Sequence, residues 1–164
     1  MKEHEEEISS CQFNYSGNLV VTASVDKTVK LWDLRKIDKS LHTFKDHKNE
    51  IMDVVFNLSG TKIATASSDC TSKIYNVQTL EMIYSLEGHK GEINKVMFDS
   101  RGNNLLTASS DATCRLWDVE KGECKQILEG HQDEIFSCSF NYEGNTIITA
   151  SKDNTCKIWK AKAN

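Results

Sequence analysis

The 164-residue chain is 38% apolar and 27% charged, which suits one ordinary globular core. Its 20 Lys and Arg against 24 Asp and Glu leave a net charge of −4, arguing against a nucleic-acid binder held by bulk charge, since phosphate neutralisation needs a basic face. No apolar run approaches the roughly 18 residues of a membrane span, and the opening Met1-Lys2-Glu3-His4-Glu5-Glu6-Glu7 is too acidic for a secretory leader, so a reducing, cytoplasmic setting is expected. Proline is absent, so turns are expected to rest on Gly, Asn, Asp and Ser.

In chain order, the sequence is one unit written four times, with predicted bounds of about 4–45, 46–87, 88–129 and 130–160. His4, His47, His89 and His131 open the copies, at spacings of 43, 42 and 42. Three residues on stand Glu7, Glu50, Glu92 and Glu134, and nine on stand Phe13, Phe56, Phe98 and Phe140. Gly17, Gly60, Gly102 and Gly144 come thirteen on, followed by Thr-Ala-Ser in every copy and then Asp26, Asp69, Asp111 and Asp153. The last shared slot holds Trp32, Tyr75, Trp117 and Trp159.

The third unit reads as four short strands: 93–98, 105–109, 113–118 and 124–128, each cut off by Gly-, Asn- or Asp-containing turns. No segment holds a helical period for ten residues. Four antiparallel strands in about 42 residues describe a propeller blade. Leu105 with Leu106, and Leu116 with Trp117, place apolar groups on both faces, so a blade needs a neighbour on each side. The expected architecture is therefore all-β, a single partial β-propeller of four blades and about 15 strands. The fourth blade has only residues 160–164 left for an outermost strand, and residues 1–7 are too acidic to supply one. An open ring exposes an edge and two apolar faces, so the chain is expected to be a fragment of a longer propeller, a shortened gene product, or half of a ring completed by another copy or another chain.

Gly88-His89, Gly130-His131, the turn aspartates and Trp117-Asp118 resemble the WD-repeat signature over essentially the whole chain. Some copies are degraded: Glu3-His4 and Asp46-His47 lack the glycine, Tyr75-Asn76 replaces Trp-Asp, and Trp159-Lys160 loses the aspartate. Residues 133–142 and 151–159 are further similar to the end of the outer-row dynein assembly factors of cilia and flagella. That resemblance implies an adaptor carrying axonemal dynein on intraflagellar transport trains, in the cytoplasm, at the ciliary base or in the cilium; the alternatives are a general WD-repeat scaffold subunit of another cytoplasmic complex and a subunit of an enzyme complex. The family implies a hydrogen-bonded His, Thr, Asp, Trp chain in each blade: His4, Thr22, Asp26 and Trp32; His47, Thr65, Asp69 and Tyr75; His89, Thr107, Asp111 and Trp117; and His131, Thr149, Asp153 and Trp159. It also implies partner contacts three and five residues after the histidine and just before the turn aspartate. On this chain those are Glu7, Glu50, Glu92 and Glu134, then Ser9, Met52, Asn94 and Phe136, then Val25, Ser68, Ser110 and Lys152. Met52 and Phe136 are expected to stand exposed beside the carboxylates, a surface suited to a basic protein segment.

Ser24, His4 and Asp26, repeated in each unit, can be read as a hydrolase triad or as a structural network. A catalytic site is needed once, whereas a network that holds the fold is needed in every blade, so no enzyme and no cofactor are expected. His42 and His47 lack companions for a tetrahedral metal site. The six cysteines contain no Cys-x-x-Cys pair, and Cys11 with Cys138, and Cys114 with Cys156, share repeat slots, which indicates packing.

Overall fold

The computed structural model describes residues 2–161; of the C-terminal tail, residues 162–164 lie outside that range. Fifteen strands alternate with turns. The first sheet holds β1 (Ile8–Phe13), β2 (Leu19–Ser24), β3 (Val29–Asp33) and β4 (His42–Phe44). The second holds β5 (Ile51–Phe56), β6 (Lys62–Ser67), β7 (Ser72–Asn76) and β8 (Met82–Leu86). The third holds β9 (Ile93–Phe98), β10 (Asn104–Ser109), β11 (Thr113–Asp118) and β12 (Cys124–Glu129). The fourth holds β13 (Ile135–Phe140), β14 (Thr146–Ser151) and β15 (Cys156–Lys160). Each is an antiparallel meander, and the innermost strands β1, β5, β9 and β13 follow one another around an arc that does not close.

Two turns explain why the meander repeats. Between the first and second strands Asn14, Asn57, Asp99 and Asn141 each fold back on themselves. The Asn14 Oδ1, for example, accepts from the amides of Asn18 and Leu19 at 3.1 and 3.0 Å. Such a turn needs a left-handed residue, and Gly17, Gly60, Gly102 and Gly144 supply it at φ of +68 to +73°. Between the second and third strands the same conformation falls on Lys27, Cys70, Ala112 and Asn154, at φ of 64 to 68°. Three of these are not the residue types expected at turns. The preceding aspartate compensates: Asp26 Oδ1 accepts from the Thr28 amide at 2.9 Å and hydroxyl at 2.6 Å, fixing the turn from its side chain.

Adjacent residues along the strands divide between two faces, and each face is covered by a different neighbour. Leu105 and Trp117 pack with Val55, Ala64, Ala66 and Ile74 of the second sheet. Leu106 and Leu116 pack with Ile135, Cys138 and Ile147 of the fourth. Val21, Ala23, Val29 and Leu31 of the first sheet meet Ile51, Val54, Phe56 and Tyr75 of the second. Burying each large side chain contributes roughly 1.5–3 kcal/mol, so these sheet-to-sheet seams are the core.

Candidate functional site: the turn edge of the sheets

One edge of the sheets carries the histidine loops and the aspartate turns together. In the third sheet, His89 Nδ1 lies 2.8 Å from Asp111 Oδ2, and Nε2 lies 2.8 Å from Thr107 Oγ1. The Trp117 indole donates to the same threonine oxygen at 2.8 Å. One proton assignment satisfies the chain: Nδ1–H donates to the carboxylate, the threonine hydroxyl donates to Nε2, and the threonine oxygen accepts the indole N–H. His4, Thr22, Asp26 and Trp32 repeat this with distances of 2.7 to 2.9 Å, as do His131, Thr149, Asp153 and Trp159. The aspartates also accept the amide following each histidine, for example Lys90 N at 2.9 Å.

The serines stay out of this chain. Ser24 Oγ accepts the Asp26 amide at 3.0 Å and donates to the Glu6 carbonyl at 3.4 Å, so it does not meet the histidine as a nucleophile meets its base.

The second sheet departs from the expected pattern. His47 joins Asp69 at 2.8 Å and Thr65 at 2.7 Å, but the buried Tyr75 hydroxyl has no hydrogen-bond partner. A phenol carries its polar atom at the tip of the ring, whereas indole carries its N–H on the side, so the fourth link is lost. The ring instead packs on Phe44, with centroids 4.4 Å apart. Tyr75→Phe is therefore expected to raise stability by about 1 kcal/mol, because it removes an unsatisfied buried hydroxyl and keeps the ring. A higher urea midpoint with unchanged slope is the result to look for.

The networks also set the acid sensitivity. Burial is the largest influence on Asp26 and pushes its carboxyl up, but the Thr28 hydroxyl, the His4 ring and neighbouring amides together hold it at about 2. For Asp69 burial again pushes upward and is overcome by Thr71, the Lys48 amide and His47, again giving about 2. Asp111 is held well below its ordinary value against burial, chiefly by His89 and Thr113. Burial lowers His47 and outweighs its attraction to Asp69, so its ring acts on Asp69 as a neutral N–H donor.

Lowered carboxylates contribute stability above their unfolded value of 3.8, and that stability is lost as pH falls toward about 2. His47 adds an earlier loss below 6.5, where the unfolded chain takes a proton that the folded chain refuses. Thermal midpoints are therefore expected to decline gently below pH 6.5 and steeply between about pH 4 and 2. Circular dichroism melts across that range check this.

The expected contact positions lie along the same edge. The amides of Val25, Ser68, Ser110 and Lys152 donate to the carbonyls of Glu7, Glu50, Glu92 and Glu134 at 2.9 to 3.0 Å. This backbone link brings the residue three after each histidine beside the residue before each aspartate. Glu7, Glu50 and Glu92 are exposed, whereas Glu134 is partly covered and lies 3.6 Å from the Lys152 ammonium. Phe136 is 53% exposed. Met52, expected to be exposed, is half-buried because β5 runs between two flanking sheets. Asn94 spends its amide on the Ile135 carbonyl of the next sheet at 3.0 Å, in the slot where Ser9 reaches the Ile51 carbonyl.

Asp53 was not legible as a site residue. It is buried, accepts from Ser10 of the first sheet at 2.8 Å and from the Val96 amide of the third at 3.2 Å, and pairs with Lys95 at 3.0 Å. One carboxylate thus ties three sheets. Its only sequence signal is an acid standing between a serine and a lysine in equivalent slots. Among the described residues no group of three His, Cys, Asp or Glu is placed to hold a metal ion, and no helix is long and apolar enough to cross a membrane.

The WD domain, G-beta repeat matches the chain four times, at residues 1–33, 38–76, 80–118 and 122–160. The chain belongs to the WD40 repeat family. The WD40 unit is offset from the sheets: residues 38–76 take in β4 with β5, β6 and β7, so a unit supplies the outermost strand of one sheet and three strands of the next. Among known proteins the chain is similar to the Gastrulation defective protein 1 homolog of Drosophila melanogaster, with 50% identity over 38 residues. That stretch, about the length of one WD40 unit, is 23% of this chain and 6% of the relative, so the chain matches a small part of a much longer protein.

Proposed function

We propose that the chain is a non-catalytic protein-interaction scaffold of the WD40 type, and that its turn edge receives a basic segment of a partner protein. The observation that supports this most directly is the linked row of Glu7, Glu50 and Glu92, exposed at equivalent places on successive sheets while the histidines, threonines and aspartates behind them are consumed by internal bonds. Such a row speeds encounter with a cationic partner, and Phe136 beside Glu134 and Lys152 offers an apolar anchor at its end.

Within that class, the similarity of residues 133–142 and 151–159 to the dynein assembly factors supports an adaptor for assembly or transport of outer-arm axonemal dynein, working in the cytoplasm and at the cilium. The test is affinity capture from ciliated cells with the native chain and with a Glu50→Lys, Glu92→Lys double variant. Recovery of dynein-arm and transport-train subunits by the native chain, lost with the double variant, is the expected result. Recovery of a different cytoplasmic complex, lost in the same way, keeps the scaffold and replaces the adaptor. Capture that ignores the charge reversal removes the acidic edge as the binding surface.

A further inference from the structure

The three seams between sheets bring the same two repeat slots together, and in one seam the pair is chemically unlike the others. In the first seam Val29 of β3 and Val54 of β5 share one apolar cluster. In the second seam the same slots hold Ser72 of β7 and Val96 of β9. In the third they hold Cys114 of β11 and Cys138 of β13, clustered with Leu106, Leu116, Ile135 and Ile147. Cys114 is 0% exposed and Cys138 3%. The valine pair shows that packing at these slots does not require sulfur. The slots also offer nothing polar, since the buried Ser72 Oγ has no hydrogen-bond partner among the described residues. The two thiols are left with each other: contact with Cys138, and then burial, pushes the Cys114 thiol well above its ordinary value. The remaining cysteines stand apart from this seam, with Cys11, Cys124 and Cys156 exposed and Cys70 in a left-handed turn of the second sheet.

We propose that Cys114 and Cys138 form a peroxide-responsive pair, whose oxidation joins the third and fourth sheets through one disulfide. The two strands belong to different sheets, so the bond adds a covalent tie to a seam held by apolar packing and by side-chain bonds such as that of Asn94 to the Ile135 carbonyl. The oxidant is hydrogen peroxide or an organic hydroperoxide. The first thiol to meet it loses its proton and attacks one peroxide oxygen. The O–O bond breaks, giving a sulfenic acid and, from hydrogen peroxide, one water. The second sulfur then attacks the sulfenyl sulfur, the S–O bond breaks, and the oxygen leaves with the second thiol's proton as water. Each sulfur is oxidised by one electron and the peroxide takes both. In the closed seam the thiols are shielded and inert, as buried cysteines in apolar surroundings are. Reaction therefore waits on local opening of the seam, and the product then holds the seam shut. The disulfide closes a loop of 25 residues, from 114 to 138, and so restricts the unfolded chain as well.

The test uses the full chain, folded and reduced, with iodoacetamide added first to block the exposed Cys11, Cys124 and Cys156. Hydrogen peroxide is then added, and the product is digested with trypsin without reduction. Mass spectrometry is expected to find the peptides 102–115 and 126–152, which carry Cys114 and Cys138, joined and two hydrogens lighter than their sum. The treated chain is expected to unfold at a higher urea concentration than the untreated one, and a dithiol reductant is expected to reverse the shift. Joining is expected to speed up in urea below the midpoint, because the seam opens more often there. Cys114→Val and Cys138→Val each install the residue that the first seam carries in that slot, so both variants are expected to fold, to give no joined peptides and to show no peroxide-induced shift. Peptides that stay separate, as thiols or as sulfinic or sulfonic acids, overturn the proposal. So does Cys114 or Cys138 joined to another cysteine, a joined pair that leaves the urea midpoint unmoved, or the same shift in either valine variant.

Discussion

Trp117→Ala is expected to lower the unfolding free energy by about 3–5 kcal/mol, the range for truncating a large buried aromatic. Trp117 is 2% exposed and fills the seam between the second and third sheets, against Ala64, Ala66 and Ile74. Its loss opens a cavity there and leaves one acceptor position of Thr107 empty. The equivalent Trp32→Ala is expected to cost less although that indole is equally buried, because Lys2, Glu3, His4 and Glu6 line its groove where Trp117 meets the aliphatic face of a neighbouring sheet. Guanidinium titrations of the two variants compare a seam that is filled on both sides with one that is not.

Thr107→Val should cost about 2–6 kcal/mol with almost no change in volume. Two buried groups lose their partner at once, the Trp117 indole N–H and His89 Nε2, and each orphan costs about 1–3 kcal/mol. Thr65→Val makes the same chemical change in the second sheet, where Tyr75 does not use the threonine. It is expected to cost about 1–3 kcal/mol, since His47 Nε2 is the main group orphaned. Equal losses at both positions would mean that the threonine hydroxyl matters for its strand and not as the junction of the network.

The four-fold beat was legible because every strand and turn recurs in the same register, and chance does not repeat Thr-Ala-Ser four times at the same distance from His and Asp. The strand limits follow from Gly17 and its counterparts, which the turn geometry requires. Other features were not legible, for physical reasons. Lys27, Cys70 and Ala112 sit in left-handed turns that their own side chains do not favour, since the stabilising bonds come from the preceding aspartate. Asp53 reads as a charge on a strand, and only the stacking of residues about 43 positions apart turns it into a tie between three sheets. The failure of Tyr75 to reach Thr65 depends on where a ring carries its polar atom. Equal cysteine slots suggested equal environments, yet Cys138 is buried while Cys11 is exposed, because burial on these faces is conferred by the neighbouring sheet.

The one-strand offset between the WD40 unit and the sheet has a genetic consequence. Excising residues 38–79 would remove β4 with β5, β6 and β7, and would splice β8 onto β3, so the first meander would regain a fourth strand with Leu86 where Phe44 had been. No torn edge would remain, and the next sheet would dock with the same aliphatic-to-aromatic match. Gain or loss of a unit by recombination therefore lengthens or shortens the array without passing through a frayed intermediate, which makes arrays of this kind tolerant of changes in copy number.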